Sequence, residues 1–214
     1  MLVCWSVGGG VGTSVVVAGL AVAAARAEEA VLVADLGGDQ PLVFGAPDPV
    51  GPGVAQWLGA AADVGADALR RLEVDVAPGI ALLPRGDGEL PAARAPDLLA
   101  ALEDDDRFVV VDAGVLGAGG LVARLVDGAA RSLLVARACP ITLARLARIE
   151  GQPTEVVVVR DRRRSVTWHD IAEASGAPVV AELEIDPAVA AAVDAGLERR
   201  ALPRSFVRVL GGVR

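Results

Sequence analysis

A glycine-rich stretch near the start of the chain carries the residue types best suited to chemistry. It reads GGGVGTS and covers residues 8–14. Its glycines allow the backbone to adopt unusual dihedral angles and to approach a phosphate closely. A helix starting near Thr13 would aim its free N–H groups and the positive end of its dipole at the same point. The stretch therefore indicates an anion site, and its candidate binding residues are Gly8, Gly9, Gly10, Val11, Gly12, Thr13 and Ser14.

Three interpretations of this stretch remain open. A phosphate-binding loop of the Walker type ends in Gly-Lys followed by Ser or Thr, and here Thr13 stands where the lysine belongs. A dinucleotide-binding loop needs Gly-x-Gly-x-x-Gly, but a motif beginning at Gly8 would require its third glycine at position 13. The third interpretation is that the glycines only form a tight turn between a strand and a helix.

Charged residues also follow other apolar runs. Asp35 ends the run VLVAD, Asp39 comes shortly after it, and Asp112 ends FVVVD. The arginine-rich segment RDRRRS, residues 160–165, follows EVVVV. Ligands of parallel sheets bind beyond the carboxyl ends of the strands, so we expect the acids near the glycine-rich loop. The arginines predict either contact with phosphate or an acidic partner surface, or simply a solvated loop.

Short apolar runs alternate with helical segments along the whole chain. The predicted strands are 2–7, 31–35, 80–84, 108–112, 132–136, 155–159 and 179–183, and the predicted helices are 14–27, 94–102, 119–129, 140–149 and 187–199. Unalternating apolar runs separated by helices are typical of a mostly parallel sheet covered on both faces. We therefore predict one α/β, doubly wound domain over residues 1–214. The Pro/Gly-rich stretch 45–53 is interpreted as a loop.

Composition excludes several classes of protein. A net charge of −8 and an aromatic content of 3% argue against nucleic-acid binding. The only histidine, His169, excludes a His-cluster metal site and suggests the start of a surface helix. Cys4 and Cys139 lie in apolar runs, which favours buried thiols over a disulfide. No basic residue precedes the first apolar stretch, so it does not resemble a signal peptide, and we expect a cytoplasmic protein.

In these motifs the chain resembles the ParA/MinD family of P-loop ATPases over nearly its whole length. The family's loop reads K-G-G-V-G-K followed by Ser or Thr, and five positions match: Gly9, Gly10, Val11, Gly12 and Ser14. The two lysines of that loop fall on Gly8 and Thr13. Both positive charges are therefore absent, and the resemblance is to a degenerate member with a deviant Walker A loop.

The resemblance also assigns roles to the acids. The family's D-x-D strand end, which carries the switch and water-positioning acids, matches at Asp35, but its second acid falls on Gly37; Asp39 could substitute from a shifted loop. Asp112 matches the acid of the Walker B-like strand, which implies Mg²⁺ held by Ser14 and Asp112. A strand that ends in Asn-Arg beside the adenine ends here in Val-Arg, which makes Arg160 a candidate cofactor-binding residue.

The implied function is that of a localisation or assembly factor. The degenerate loop most resembles the CpaE/TadZ branch of pilus-assembly proteins and its septum-site relatives, which implies weak ATP and Mg²⁺ binding, little or no ATP hydrolysis, a possible homodimer, and partners in secretion, pilus or division machinery. The alternative is an active ATPase with compensating residues, and the third hypothesis is a dinucleotide-binding oxidoreductase. The short basic tail, 200–210, is expected to pack on the body as a helix, without strong membrane binding.

Overall fold

A computed structural model describes residues 1–46, 51–60, 65–117, 120–149, 151–197 and 199–214. The strands in this part are β1 (Leu2–Ser6), β2 (Val31–Asp35), β3 (Val74–Ala77), β4 (Ile80–Leu83), β5 (Phe108–Val115), β6 (Ser132–Arg137), β7 (Glu155–Arg160) and β8 (Val179–Glu184). The α-helices are α1 (Thr13–Arg26), α2 (Gln40–Phe44), α3 (Val54–Gly59), α4 (Ala66–Arg70), α5 (Ala95–Glu103), α6 (Leu121–Gly128), α7 (Pro140–Leu146), α8 (Trp168–Ser175), α9 (Pro187–Ala195) and α10 (Arg204–Gly211).

The strands form one sheet with the order β3-β4-β2-β5-β1-β6-β7-β8. All neighbouring strands are parallel except β3, which runs antiparallel to β4 at one edge. β1 lies between β5 and β6. The loop that follows β1 therefore lies in the middle of the sheet, at the carboxyl ends of its parallel strands. This arrangement confirms the predicted α/β class and doubly wound architecture.

The two faces of the sheet bury separate cores. Along β1, Val3 and Trp5 face one core, which also contains apolar side chains of α3, α5, α6, α7 and α8. Leu2 and Cys4 face the other, which contains α1, α2 and α10. Both sides of each central strand are thus removed from water, which explains why the sequence shows continuous apolar runs instead of alternation.

Four elements were not predicted from the sequence: α2, α3, α4 and β3. The three helices have five or six residues each, too short to show helical periodicity. β3 reads VDVA, and its side chains are exposed or half-buried, so it lacks the apolar run that marks the central strands. The predicted loop 45–53 and the predicted helices 119–129 and 187–199 include residues outside the described part of the chain.

Three smaller predictions are confirmed, for the thiols, the histidine and the C-terminal helix. Cys4 and Cys139 are buried free thiols. His169 lies exposed at the start of α8, stacked on Trp168. The C-terminal segment folds as α10, and its Leu210 is fully buried against α1. Among the described residues, no helix has both the length and the apolar character needed to cross a membrane.

Candidate functional site

The glycine-rich loop connects β1 to α1 and opens outward. Gly10 and Gly12 have φ angles of 72° and 98°, values that favour glycine. A Cβ added at Gly9, Gly10 or Gly12 would meet no atom within 4 Å, so the loop leaves space in front of its backbone. The first helical hydrogen bond of α1 runs from Val16 N to the Gly12 carbonyl at 2.9 Å. The amides that come before Val16 in the helix therefore have no helical acceptor. A loop of this form can accept an anion, and anion binding by residues 8–14 stays a prediction.

Ser6, the last residue of β1, anchors the loop from below. Its hydroxyl is buried and lies 3.1 Å from the Gly8 carbonyl oxygen and 3.3 Å from the Gly114 carbonyl oxygen. The loop after β1 is thereby fastened to the end of β5. Sequence analysis did not single out Ser6, although a hydroxyl that ends a buried strand is the kind of signal that marks such an anchor.

Two fully buried carboxylates lie behind the loop. Asp35 of β2 and Asp112 of β5 are register partners on adjacent strands. Asp35 accepts hydrogen bonds from the amides of Gly38 at 2.7 Å and Gln40 at 3.0 Å. Asp112 accepts from the Gly114 amide at 3.2 Å. The structure thus brings together the two acids that the sequence placed at the ends of separate strands.

Gln40, which sequence analysis missed, connects this acid pair to α1. Its side chain is fully buried, and its Nε2 donates to Asp112 Oδ2 at 2.7 Å and to the Ser14 carbonyl at 3.1 Å. Its Oε1 has no hydrogen-bond partner within the described structure. A polar residue at the first position of a short helix gave no periodicity signal that would have marked it as buried.

Burial controls the protonation of both acids. Removal from water raises the pKa of Asp35 to about 6, although the Gly38 amide and, more weakly, that of Gln40 oppose the rise, and the Asp112 charge adds to it. Burial likewise raises the pKa of Asp112, opposed by hydrogen bonds from Gln40 and Ser14. Gln40 bonds to both the Ser14 carbonyl and Asp112, so these two residues lie on either side of one buried amide. A bound cation there would favour the ionised form of Asp112.

We expect the free energy of unfolding to fall as the pH rises from about 4 to about 7. Asp35 has a pKa of about 6 in the folded chain against an ordinary 3.8, so between these values the folded state holds a proton that the unfolded state releases. The gap corresponds to about 3 kcal/mol at full ionisation. Asp35→Asn should therefore flatten the profile, as urea unfolding across this range can show.

The control for this experiment is Asp67→Asn, which removes an exposed carboxylate on α4. The control should keep the wild-type slope. An Asp35→Asn profile parallel to that of the wild type would contradict the raised pKa.

Two cavities meet at the loop. The loop cleft, of about 520 Å³, is lined by Ser6, Gly9, Gly10, Val11, Gly12, Thr13, Ser14, Val15, Asp39, Leu42, Val43, Gly114, Val115, Val193 and Asp194. The apolar cavity, of about 390 Å³, is lined by Gly10, Val11, Gly12, Val15, Val16, Arg137, Val159, Leu183, Glu184, Ile185, Asp186, Val189, Ala190, Val193, Asp194 and Phe206. Both include residues 10–12, so one ligand can lie across the loop with its polar end in the cleft and its apolar end in the cavity.

The loop cleft carries no compensating positive charge on its described lining. Asp39 and Asp194 line it, whereas neither lysine nor arginine does. Thr13, which occupies the expected lysine position, is buried. Gly37 stands where the resemblance has its second acid. A Cβ at this position would lie 3.6 Å from Asp112 Oδ1 and 3.7 Å from Asp35 Oδ1, so a side chain there would lie beside the two buried carboxylates.

The arginine-rich segment lies away from the loop cleft. Arg160 pairs with Glu182 at 2.8 Å, Arg162 with Glu184 at 2.6 Å, and Arg163 with Asp161 at 3.0 Å. Arg160 is not among the described residues that line either cavity, although its neighbour Val159 lines the apolar cavity. The binding role assigned to Arg160 therefore stays a prediction, while Arg162 and Arg163 conform to the solvated-loop interpretation.

Comparison with solved structures gives the same architecture. A ParA family ATPase from Chlorobium tepidum TLS is 17% identical with a TM-score of 0.79, covering 98% of this chain and 96% of its own. The MinC:MinD cell division complex of Aquifex aeolicus is 16% identical with a TM-score of 0.74, covering 100% and 94%. The septum site-determining protein MinD of Pyrococcus horikoshii OT3, complexed with Mg-ADP, is 18% identical with a TM-score of 0.72, covering 98% and 95%.

The chain has the fold of ParA/MinD-like P-loop NTPases. Residues 1–149 match the family described as cellulose biosynthesis protein BcsQ. The chain therefore belongs to the BcsQ family. A comparison with curated proteins finds no match. None of these findings supports the oxidoreductase hypothesis.

Proposed function

We propose that the chain binds an adenine nucleotide across the glycine-rich loop. The observation that carries this proposal is that the loop cleft and the apolar cavity share residues 10–12. The open loop backbone and the first amides of α1 suit phosphates, and apolar side chains such as Val159, Ile185 and Phe206 suit a flat base. Similar folds are known with Mg-ADP bound.

Ser14 and Asp112 are the residues that would hold Mg²⁺ beside the phosphates. Gln40 bonds to the Ser14 carbonyl and to Asp112, and hydroxyl and carboxylate oxygens are ligands that Mg²⁺ prefers. The ion would neutralise phosphate charge. Asp35, which matches the first acid of the D-x-D strand end in the resemblance, is fully buried and bonded to two amides. We assign it to shaping the loop 36–40 rather than to turnover.

The cellular role that we propose is assembly or localisation of a secretion machine from the cytoplasm, with little or no ATP hydrolysis. The matched family is described as a cellulose biosynthesis protein. This description favours a polymer-export machine over the pilus-assembly or septum-site roles suggested by the loop alone. The MinC:MinD complex shows a similar fold bound to a protein partner. A homodimer and protein partners of this kind are parts of the proposal.

Calorimetric titration tests the nucleotide site. With Mg²⁺ present we expect ATP and ADP to bind weakly, in the micromolar to millimolar range, because backbone amides hold the phosphates without a loop lysine. The matched variant is Gly12→Val, which places a β-branched residue at a φ of 98° and should abolish binding. Nicotinamide dinucleotide binding more tightly than ATP, or submicromolar ATP binding, would contradict the proposal.

A further inference from the structure

Gly8, at the start of the loop, lies directly beneath an arginine from a distant element. A Cβ built on Gly8 would overlap the side chain of Arg145 on α7, and the three nearest atoms all belong to that guanidinium group. Gly8 does not have a positive φ angle, so its backbone would accept other residues. Because glycine has no side chain, position 8 leaves space for the Arg145 guanidinium group against the loop.

The Arg145 side chain forms no hydrogen bond and no ion pair within the described structure. The guanidinium groups of Arg160, Arg162 and Arg163, in contrast, bond to carboxylates. Its side chain is exposed, so it can turn toward a ligand at Gly9 without breaking an existing contact.

A second arginine without a described side-chain hydrogen bond also lies beside the loop. Arg137, the last residue of β6, lines the apolar cavity together with residues 10–12. Its Nε is buried and has no hydrogen-bond partner among the described residues. A buried guanidinium nitrogen without a partner is costly unless a ligand supplies an acceptor. Both arginines therefore leave donors available at the loop.

We infer that the segment from β6 to α7 supplies the positive charge that the loop lacks, with Arg145 at Gly8 and Arg137 beside residues 10–12 both holding the phosphates of the bound nucleotide. This inference rests on the proposed nucleotide binding. Guanidinium groups donate charge-assisted hydrogen bonds to phosphate oxygens. Arg145 is not among the described residues that line either cavity, but it lies against Gly8, whose neighbour Gly9 lines the acidic loop cleft. Arg160, Arg162 and Arg163 differ from it because their guanidinium groups are paired with carboxylates.

Titrations of ATP and of adenosine, each with Mg²⁺, test the inference in the intact chain. Arg145→Ala is expected to weaken ATP binding at least about tenfold and to leave adenosine binding unchanged, since adenosine lacks phosphates. Arg148→Ala removes the same charge three residues further along and should bind ATP like the wild type. Lysine at position 8 in the Arg145→Ala background, G8K/R145A, should restore ATP affinity because the vacated space accepts it.

Arg137→Gln should likewise weaken ATP more than adenosine, and its thermal unfolding curve serves to show that the variant is folded. Unchanged ATP affinity in Arg145→Ala, or equal losses in Arg145→Ala and Arg148→Ala, would overturn the role of Arg145 while leaving nucleotide binding intact. A wild-type protein that binds neither ATP nor adenosine would instead refute the nucleotide site itself, and the inference with it.

Discussion

Phosphate release from ATP is expected to be no faster with the wild-type protein than with its Asp112→Asn variant. The loop lacks cations at Gly8 and Thr13, and the second acid of the resemblance is replaced by Gly37. Each missing group that stabilises transition-state charge typically costs about 10²–10³-fold in rate. Against a median enzyme turnover of about 10 s⁻¹, we expect less than about 10⁻² s⁻¹.

The arginines inferred to hold the phosphates do not change this expectation. Arg145 lies outside the loop, against Gly8, and no basic residue stands at the position of Thr13. Groups that bind the phosphates equally in the ground state and the transition state raise affinity without raising turnover. Nucleotide binding without hydrolysis is therefore the expected behaviour.

A continuous phosphate-release assay with saturating ATP and Mg²⁺ makes the measurement. Asp112→Asn gives the background because it removes a carboxylate expected to hold Mg²⁺, and Asp35→Asn gives a second background. Steady turnover by the wild type that both substitutions abolish would show that the site hydrolyses ATP. The alternative hypothesis, an active ATPase with compensating residues, would then hold.

Gly45→Ala is expected to destabilise the fold by about 3 kcal/mol, a fall in Tm of about 6–12 °C for a chain of this size. Gly45 ends α2 with a φ of 77°, where a side chain costs about 1 kcal/mol. Its added Cβ would also lie 2.8 Å from the Gly196 Cα. Because that neighbour is backbone, α2 and the end of α9 must move apart, straining the hydrogen bond from Leu197 N to the Val43 carbonyl.

Gly176→Ala provides a matched control for this stability measurement. Gly176 ends α8 with a φ of 67° and the same ψ of 15° as Gly45, but its added Cβ would meet nothing within 4 Å. It should show only the conformational cost, about 1 kcal/mol. Equal losses in urea unfolding of the two variants would mean that the contact between Gly45 and Gly196 does not restrict packing.

The sequence by itself determined the α/β class, the seven strands of the parallel sheet and the open form of the loop. These follow from local features: apolar runs long enough to be buried on both sides, and glycines that permit φ angles such as 98° at Gly12. It also placed Asp35 at a strand end, which the structure confirms, and Asp112 at another, which is wrong because β5 continues to Val115. The two acids still meet because β2 and β5 are neighbours in the sheet.

Only the tertiary structure decided which partners these residues meet. Gln40 bonds to Asp112 and to the Ser14 carbonyl because α2 packs beside α1, and no local pattern records that packing. Arg145 lies on Gly8 because β6 is the neighbour of β1 in the sheet. Residues far apart in sequence come together through strand order and helix packing, so the charges around the loop could not be predicted from the motif alone.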